Sequence, residues 1–261
     1  MSVIDAAGSI GVCEMLDWDS AFFDRRIARF RKPRFLRDDA AALRAECAAR
    51  GIDCAYILVD VVDTESIASL QETGAYFADA RVTFGKFQNA APAAGAARVR
   101  PAAEADIPAL KRIASASHRD TRFYADGHFD RARCDRLYEV WIENSCRGYA
   151  DAVFVADRED GAPAGYVTCH VDAPPRGHIG LFAVGEGSQG RGYGSALLAA
   201  ASAWFAAHGV TDMTVATQLR NVRALQFYGG AGLLIRSVGL WFHLWPSDDA
   251  GGRSRTLRVD A

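Results

Sequence analysis

The sequence predicts an α/β protein made of two α/β domains. Three observations carry this. Apolar runs of strand length alternate with helix-length segments from residue 27 to residue 244. Glycines stand where those helices should stop, at Gly51, Gly74 and Gly209. A stretch of small uncharged residues, NAAPAAGAA at 89–97, holds nothing that could anchor a core and divides the chain.

The first segment, 1–88, reads as a small α/β domain. Ile27–Phe30 is a short strand. Asp38 or Asp39 is placed to cap a helix running to Arg50 and ended by Gly51. Cys54–Val62 is apolar almost throughout, as a strand buried on both faces is. Thr64–Glu72 suits a short helix closed by Gly74, and Phe77–Phe87 alternates with a period near two.

Residues 98–245 read as a larger domain, and 246–261 as a tail. The predicted order is strand 98–100, helix 104–115, helix 130–145, and strand 152–156. A GAPAG turn (161–165) leads to strands 166–171 and 179–184. Helix 195–207, strand 213–217, helix 221–229 and a last strand at 233–244 complete it. On the second helix Leu137, Val140, Trp141 and Asn144 share a face.

A pattern recurs between the two segments. Gly51 and Gly209 lie 158 positions apart, as do Gly74 and Gly232. At that offset Cys54–Val62 falls on 212–220, and Phe84 on Phe242. Two explanations stay open: any α/β protein repeats such units, or residues 1–88 are a reduced copy of half the larger domain. A copy would be structural only. Asp63 stands where Asn221 is and Leu70 where Tyr228 is, and no glycine loop precedes its helix.

Composition excludes several partners. Half of the 261 residues are apolar, enough to give each domain a core, and the formal net charge is −2. That balance predicts no nucleic-acid or anionic membrane partner. No apolar stretch approaches a bilayer span, and MSVIDAAGSIG lacks the basic start and apolar core of a signal peptide, so a cytoplasmic protein is expected. The six cysteines form no C-x-x-C pair and no zinc-spaced cluster with histidine; reduced, mostly buried thiols and no metal site are expected.

The chemistry is concentrated in IGLFAVGEGSQGRGYGSALLAAASAWFAA (179–207). An apolar strand runs into a glycine-rich turn that opens a long helix. Such a turn lets backbone N–H groups approach an anion, with the positive end of the helix dipole behind them. A P-loop would need a Lys that is absent, and a dinucleotide fingerprint would need an early βαβ unit whose second strand ends in an acid. The third pattern, Q/R-x-x-G-x-G/A, fits as Gln189-Gly190-Arg191-Gly192-Tyr193-Gly194.

With that hexapeptide between strand and helix, and Asn221-x-x-Ala224-x-x-Phe227-Tyr228-x-x-x-Gly232-Leu233 after the next strand, the sequence resembles the GCN5-related N-acetyltransferase (GNAT) superfamily over about 98–245. Leu233 departs from the usual Phe. The resemblance implies a mixed, mostly antiparallel central sheet flanked by helices, and acetyl-CoA as co-substrate. LDWDSAFFD (16–24), TRFYADGHF (121–129), YEVWIENSCRG (138–148) and VATQLRNVRALQFY (215–228) are similar to bacterial sugar-nucleotide N-acetyltransferases of the dTDP-fucosamine acetyltransferase type. Those enzymes acetylate the amine of a dTDP-4-amino-4,6-dideoxyhexose and carry a small α/β domain ahead of the catalytic one. Asp24 departs from a Gly common there.

Residue roles follow as expectations from the resemblance. Gln189, Gly190, Arg191, Gly192, Tyr193 and Gly194 bind the CoA diphosphate through backbone N–H groups; Arg191 adds charge or is simply solvated. Phe182, Ala183 and Val184 pair with the pantetheine amides. Tyr228 protonates the leaving thiolate as general acid. Asn221 caps its helix and reaches the cofactor. The strand HIGLFAV offers no carboxylate as base; Glu143 and His178 are the candidates, and water suffices if the amine is weakly basic. Arg122, Phe123 and Tyr124 offer a cation and two aromatics to a nucleotide diphosphate and its base, or form a solvated loop. The expected partner is a small-molecule amine, a nucleotide sugar in the closer resemblance, and a homodimer is compatible with the sequence. Two other functions compete: acetylation of a polyamine, antibiotic or protein amine, for which a polyamine or aminoglycoside would require an acidic pocket, and a non-catalytic acyl-CoA sensor.

Overall fold

The computed structural model describes residues 11–87 and 97–247. In chain order the elements are β1 (Cys13–Met15), α1 (Asp17–Phe23), β2 (Ile27–Phe30), α2 (Arg37–Arg50), β3 (Cys54–Asp60), α3 (Thr64–Glu72), β4 (Tyr76–Phe87) and β5 (Val99–Pro101). There follow α4 (Ile107–Ser117), the one-turn α5 (Arg122–Ala125), α6 (Arg131–Asn144), β6 (Ala152–Asp157), β7 (Pro163–Ala173) and β8 (Arg176–Val184). The chain closes with α7 (Tyr193–Ala207), β9 (Asp212–Gln218), α8 (Val222–Gly230) and β10 (Leu234–Leu244).

Most predicted elements are present, with three local corrections. α2 starts one residue before Asp38. Asp39 acts from its first turn, where its carboxylate accepts from the Leu36 N–H at 2.9 Å and from Lys32 Nζ at 2.5 Å. On α6 the buried residues are Cys134, Leu137, Tyr138 and Ile142, so the face is rotated from the one predicted. LDWDSAFFD, read above only as a signature, forms α1, with Asp24 at φ 53° as its C-cap. A left-handed C-cap is where glycine is commonest, and here aspartate takes it.

The chain forms two compact units. One comprises residues up to Asp79 together with those from Gly239 onward; the other is Ala80–Val238. These limits differ from the division at 89–97, which apart from Ala97 lies outside the described residues, as does all of the tail beyond Ser247. Both limits fall inside strands, β4 and β10. A strand's side-chain pattern does not reveal where along its length its hydrogen-bonding partner changes.

In the first unit the strand order is β1-β2-β3-β10, with β2 and β3 parallel and the other pairs antiparallel. Its core gathers Phe30, Phe35, Leu43, Cys47, Ile57, Leu70 and Phe242. In the second unit the order is β4-β9-β8-β7-β6-β5, mostly antiparallel, with β8 and β9 parallel. Its core packs α7 on the sheet through Leu197, Ala201 and Phe205, with Val82, Phe84, Met213, Val215 and Tyr228. None of the six cysteines forms a disulfide, and burial pushes the Cys47 thiol up to about 11. Among the described residues no helix is long and apolar enough to cross a membrane.

The 158-residue offset carries through to hydrogen-bond register. β3 and β9 coincide under it, as do α3 and α8. The pair Phe84↔Val215 in the second unit maps onto Phe242↔Ile57 in the first, and Arg81↔Gln218 maps onto Gly239↔Asp60. The helix caps match too: the Asp63 side chain accepts from the Ser66 N–H, and Asn221 Oδ1 accepts from the Ala224 N–H at 3.1 Å.

Candidate active site

The site begins where two strands part. β8 and β9 are paired from Arg176–Ile179 against Asp212–Val215, and the ladder stops there. A bulge in β8 explains the divergence. Against β7, Phe182 faces Val167 but Ile179 faces Cys169, so one extra residue lies between them on β8. The kink is held by the Leu181 N–H donating to Thr168 Oγ1 at 2.8 Å. Gly180 suits this spot, since a Cβ there would sit 2.6 Å from His170 Nε2. Beyond the bulge, Phe182 and Val184 turn toward the core that holds Tyr228.

The opening is a cleft of about 800 Å³. One wall is Phe182, Ala183 and Val184; the next is the glycine turn, with Gln189, Gly190, Gly192, Tyr193 and Gly194; the third is α8, with Asn221, Phe227 and Tyr228. Gly190 at φ 74° and Gly192 at φ 83° adopt the left-handed region that favours glycine, and Gly192 is the N-cap of α7. Gly194 has a different reason: a Cβ there would lie 3.2 Å from the Phe227 ring. The Gln189 side chain ties the turn to its surroundings, donating to the Val184 carbonyl at 3.1 Å and accepting from Arg223 Nη1. Arg119, Arg220 and Arg223 reach the cleft against Asp120 and Glu186. With the N-terminus of α7 they favour an anionic ligand.

Tyr228 is 4% exposed, its ring 6.1 Å from Phe182 and 5.6 Å from Phe84. Burial holds its phenol pKa above the ordinary 10, so the group is protonated at neutral pH. Asn221 caps α8 as described. Asn221→Ala should cost about 1 kcal/mol of stability in denaturant unfolding. A loss below about 0.3 kcal/mol would show that the cap contributes nothing beyond what water supplies.

The remaining predicted residues are dispersed. Arg191 is not among those lining the cleft. Phe123 is 3% exposed with its ring edge-on to Phe129 at 5.3 Å, a packing role that leaves no face for a base. The Tyr124 hydroxyl donates to Asp135 at 2.6 Å, which ties α5 to α6. Arg122 lies over the Phe123 ring, 4.3 Å from its centre. Glu143 sits in a separate groove between α4 and α6, paired with Lys111 at 2.6 Å and Arg147 at 2.9 Å; these cations hold its carboxyl below the usual range. His178 stacks on His170 at 4.8 Å and pairs with Asp172 at 2.9 Å, before the bulge and outside the cleft wall.

Sequence reasoning missed His118. It ends α4 between the cleft-lining Ser117 and Arg119. Its Nε2 lies 2.9 Å from the Tyr166 hydroxyl, its ring stacks on Tyr138, and burial lowers its pKa to about 4. A lone histidine at a helix end carries no motif that could single it out.

Comparison with known proteins agrees with this geometry. Residues 110–232 match the acetyltransferase (GNAT) family. The dTDP-fucosamine acetyltransferase of Escherichia coli O6:H1 (strain CFT073) is 31% identical over 234 residues, spanning 88% of this chain and 96% of its own length. The spore coat polysaccharide biosynthesis protein SpsD of Bacillus subtilis (strain 168) is 27% identical over 150 residues, 58% of this chain and 51% of that protein. A GCN5-related N-acetyltransferase from Sphaerobacter thermophilus has the same fold at TM-score 0.59 and 14% identity, over 92% of this chain and 78% of its own. A tandem GNAT protein from the clavulanic acid biosynthesis pathway gives TM-score 0.56 at 15% identity, over 84% and 75%. Fold, parted strands, glycine turn and relatives converge: the chain belongs to the GNAT family of acetyltransferases.

Proposed function

We propose that this acetyl-CoA-dependent N-acetyltransferase acetylates the amino group of a nucleotide-linked amino-deoxy sugar of the dTDP-4-amino-4,6-dideoxyhexose type. The observation that carries the acetyl transfer is the parting of β8 and β9 beside the glycine turn, with Tyr228 lining the same cleft. Similarity to dTDP-fucosamine acetyltransferase along 88% of the chain supports the acceptor class.

In this reading the backbone of Gln189–Gly194 holds the CoA diphosphate, and the freed edge of Phe182–Val184 pairs with the pantetheine amides. The acceptor nitrogen attacks the thioester carbon, the C–S bond breaks, and Tyr228 gives its proton to the sulfur. The proton lost by nitrogen returns through water to Tyr228, so the products are the acetamido sugar and free CoA thiol. Residues 1–88 are read as a reduced, non-catalytic copy of half the catalytic fold, a reading supported by the 158-residue offset in register and caps.

Release of CoA thiol should be measured with a panel of dTDP- and UDP-linked amino sugars, free amino sugars, spermidine and a lysine peptide. The highest kcat/KM is expected for a dTDP-4-amino sugar. A preference for spermidine or the peptide would overturn the acceptor assignment while leaving the acetyl-transfer reading intact.

A further inference from the structure

One wall of the cleft is the end of α4, where Ala116, Ser117, Arg119 and Asp120 line it. His118 stands among them but turns into the protein. Its Nε2 lies 2.9 Å from the Tyr166 hydroxyl. Its ring stacks on Tyr138, with centres 4.6 Å apart and planes within 20°.

Tyr166 belongs to the strand beside the opposite wall. On β7 it faces Ala183 of β8, and Val167 faces Phe182. Side chains directly opposite each other share a face of the sheet, and neighbours along a strand take opposite faces. Val167 and Phe182 pack in the core beneath α7. Tyr166 and Ala183 therefore project from the other face, where α4 lies. Tyr166 is fully buried, and Ala183 lines the cleft. One hydrogen bond thus joins the helix wall of the cleft to the strand behind its other wall.

The last turn of α4 has little else to fix it to the sheet. A helix end leaves carbonyls without intrahelical partners and tends to fray. Here the C-cap is His118 itself, at φ −102° and ψ 48°, with its N–H on the Ala114 carbonyl at 3.1 Å. Arg119 Nε reaches the Ser115 carbonyl at 3.3 Å. Both contacts stay within the turn, whereas the Tyr166 bond crosses to β7. Burial keeps the imidazole neutral at pH 7, and the bond forms in either tautomer, with the hydroxyl donating or accepting.

We propose that His118 is a positioning residue for acetyl transfer. Through its hydrogen bond to Tyr166 it holds the end of α4 at a fixed place relative to the edge at Phe182–Val184, and so sets where the acceptor amine meets the thioester. This rests on the reading of that edge as the pantetheine site and of Tyr228 as the acid at the sulfur. With the glycine turn given to the diphosphate, the α4 end is the wall left for the acceptor. The inference does not depend on which amine that acceptor is.

The test compares His118→Phe, Tyr166→Phe and the double variant with the wild-type enzyme. The assay uses whichever amine of the panel above reacts fastest, a dTDP-4-amino sugar by expectation. His118→Phe keeps a ring on Tyr138 and loses the bond; Tyr166→Phe loses it from the other side. Each should lower kcat by about tenfold and leave acetyl-CoA affinity within about twofold in calorimetry. His118→Gln, whose amide can still pair with the hydroxyl, should recover part of the loss. Each phenylalanine variant leaves one polar group without its partner and should melt below wild type. The double variant leaves neither, so it should regain thermal stability without regaining kcat. If kcat recovers together with stability in the double variant, or if both single variants keep kcat within about twofold of wild type, His118 is a packing residue and the positioning role is overturned. If the single variants instead weaken acetyl-CoA about tenfold at unchanged kcat, the α4 wall serves the cofactor, and the assignment of walls beneath the inference fails with it.

Discussion

Tyr228→Phe should lower kcat by about a hundredfold and leave the affinity for acetyl-CoA nearly unchanged. The substitution removes one hydroxyl from a ring packed against Phe84, Phe182 and Phe227, so the apolar contacts survive. In the proposed role, what disappears is the proton donor to the leaving sulfur, needed only as the C–S bond breaks. The wild-type pH profile carries a second expectation. Burial raises the phenol pKa above 10, so the protonated form persists as pH rises, and kcat should stay level to about pH 9 on this group's account. An alkaline decline beginning near pH 8 would point to another acid. The phenylalanine variant should regain activity with an acyl donor whose leaving thiol is much more acidic. A kcat loss below about threefold, at unchanged thermal stability, would show that water protonates the thiolate.

Gly192→Asp should weaken acetyl-CoA by about a hundredfold in calorimetry, roughly 2.7 kcal/mol. Two effects add. Gly192 holds φ 83°, a conformation that costs a residue with a Cβ about 1–2 kcal/mol. The carboxylate would also stand at the N-terminus of α7, against the diphosphate proposed to bind at this turn. There is room for the side chain, since nothing lies within 4 Å of a Cβ built there, so a clash is not the mechanism. Gly192→Ala separates the two effects: it carries the backbone strain without the charge and should lose about tenfold or less. Equal losses in both variants would mean that backbone geometry, not electrostatics, governs binding at this turn. Unchanged affinity in the aspartate variant would remove the turn from the cofactor site.

The parts of this protein legible in its sequence are those whose signal is local. β3 reads as an unbroken apolar run, and α3 and α8 read as helices between an Asx cap and a glycine. The turn at 189–194 combines positive-φ glycines with a helix start. Each of these is dictated within about ten residues, where backbone sterics and capping act. The repeat was visible at its constant offset, because equal elements need equal lengths of chain.

Tertiary structure decided what depends on partners far apart in the chain. The bulge at Gly180–Leu181 exists only relative to β7, so no pattern within β8 announces it. Phe123 and Tyr124 have the composition of a ligand platform, but their neighbours Phe129 and Asp135 hold them in packing roles. Glu143 and His178 carry the right functional groups for a base, and pairing with Lys111 and Asp172 places them outside the cleft. His118 was unremarkable as a letter. Its significance comes from burial against Tyr166, 48 positions away in sequence. The division into units followed the same rule: β4 and β10 each change partner partway along, and pairing is a property of two strands, which neither one's alternation can encode.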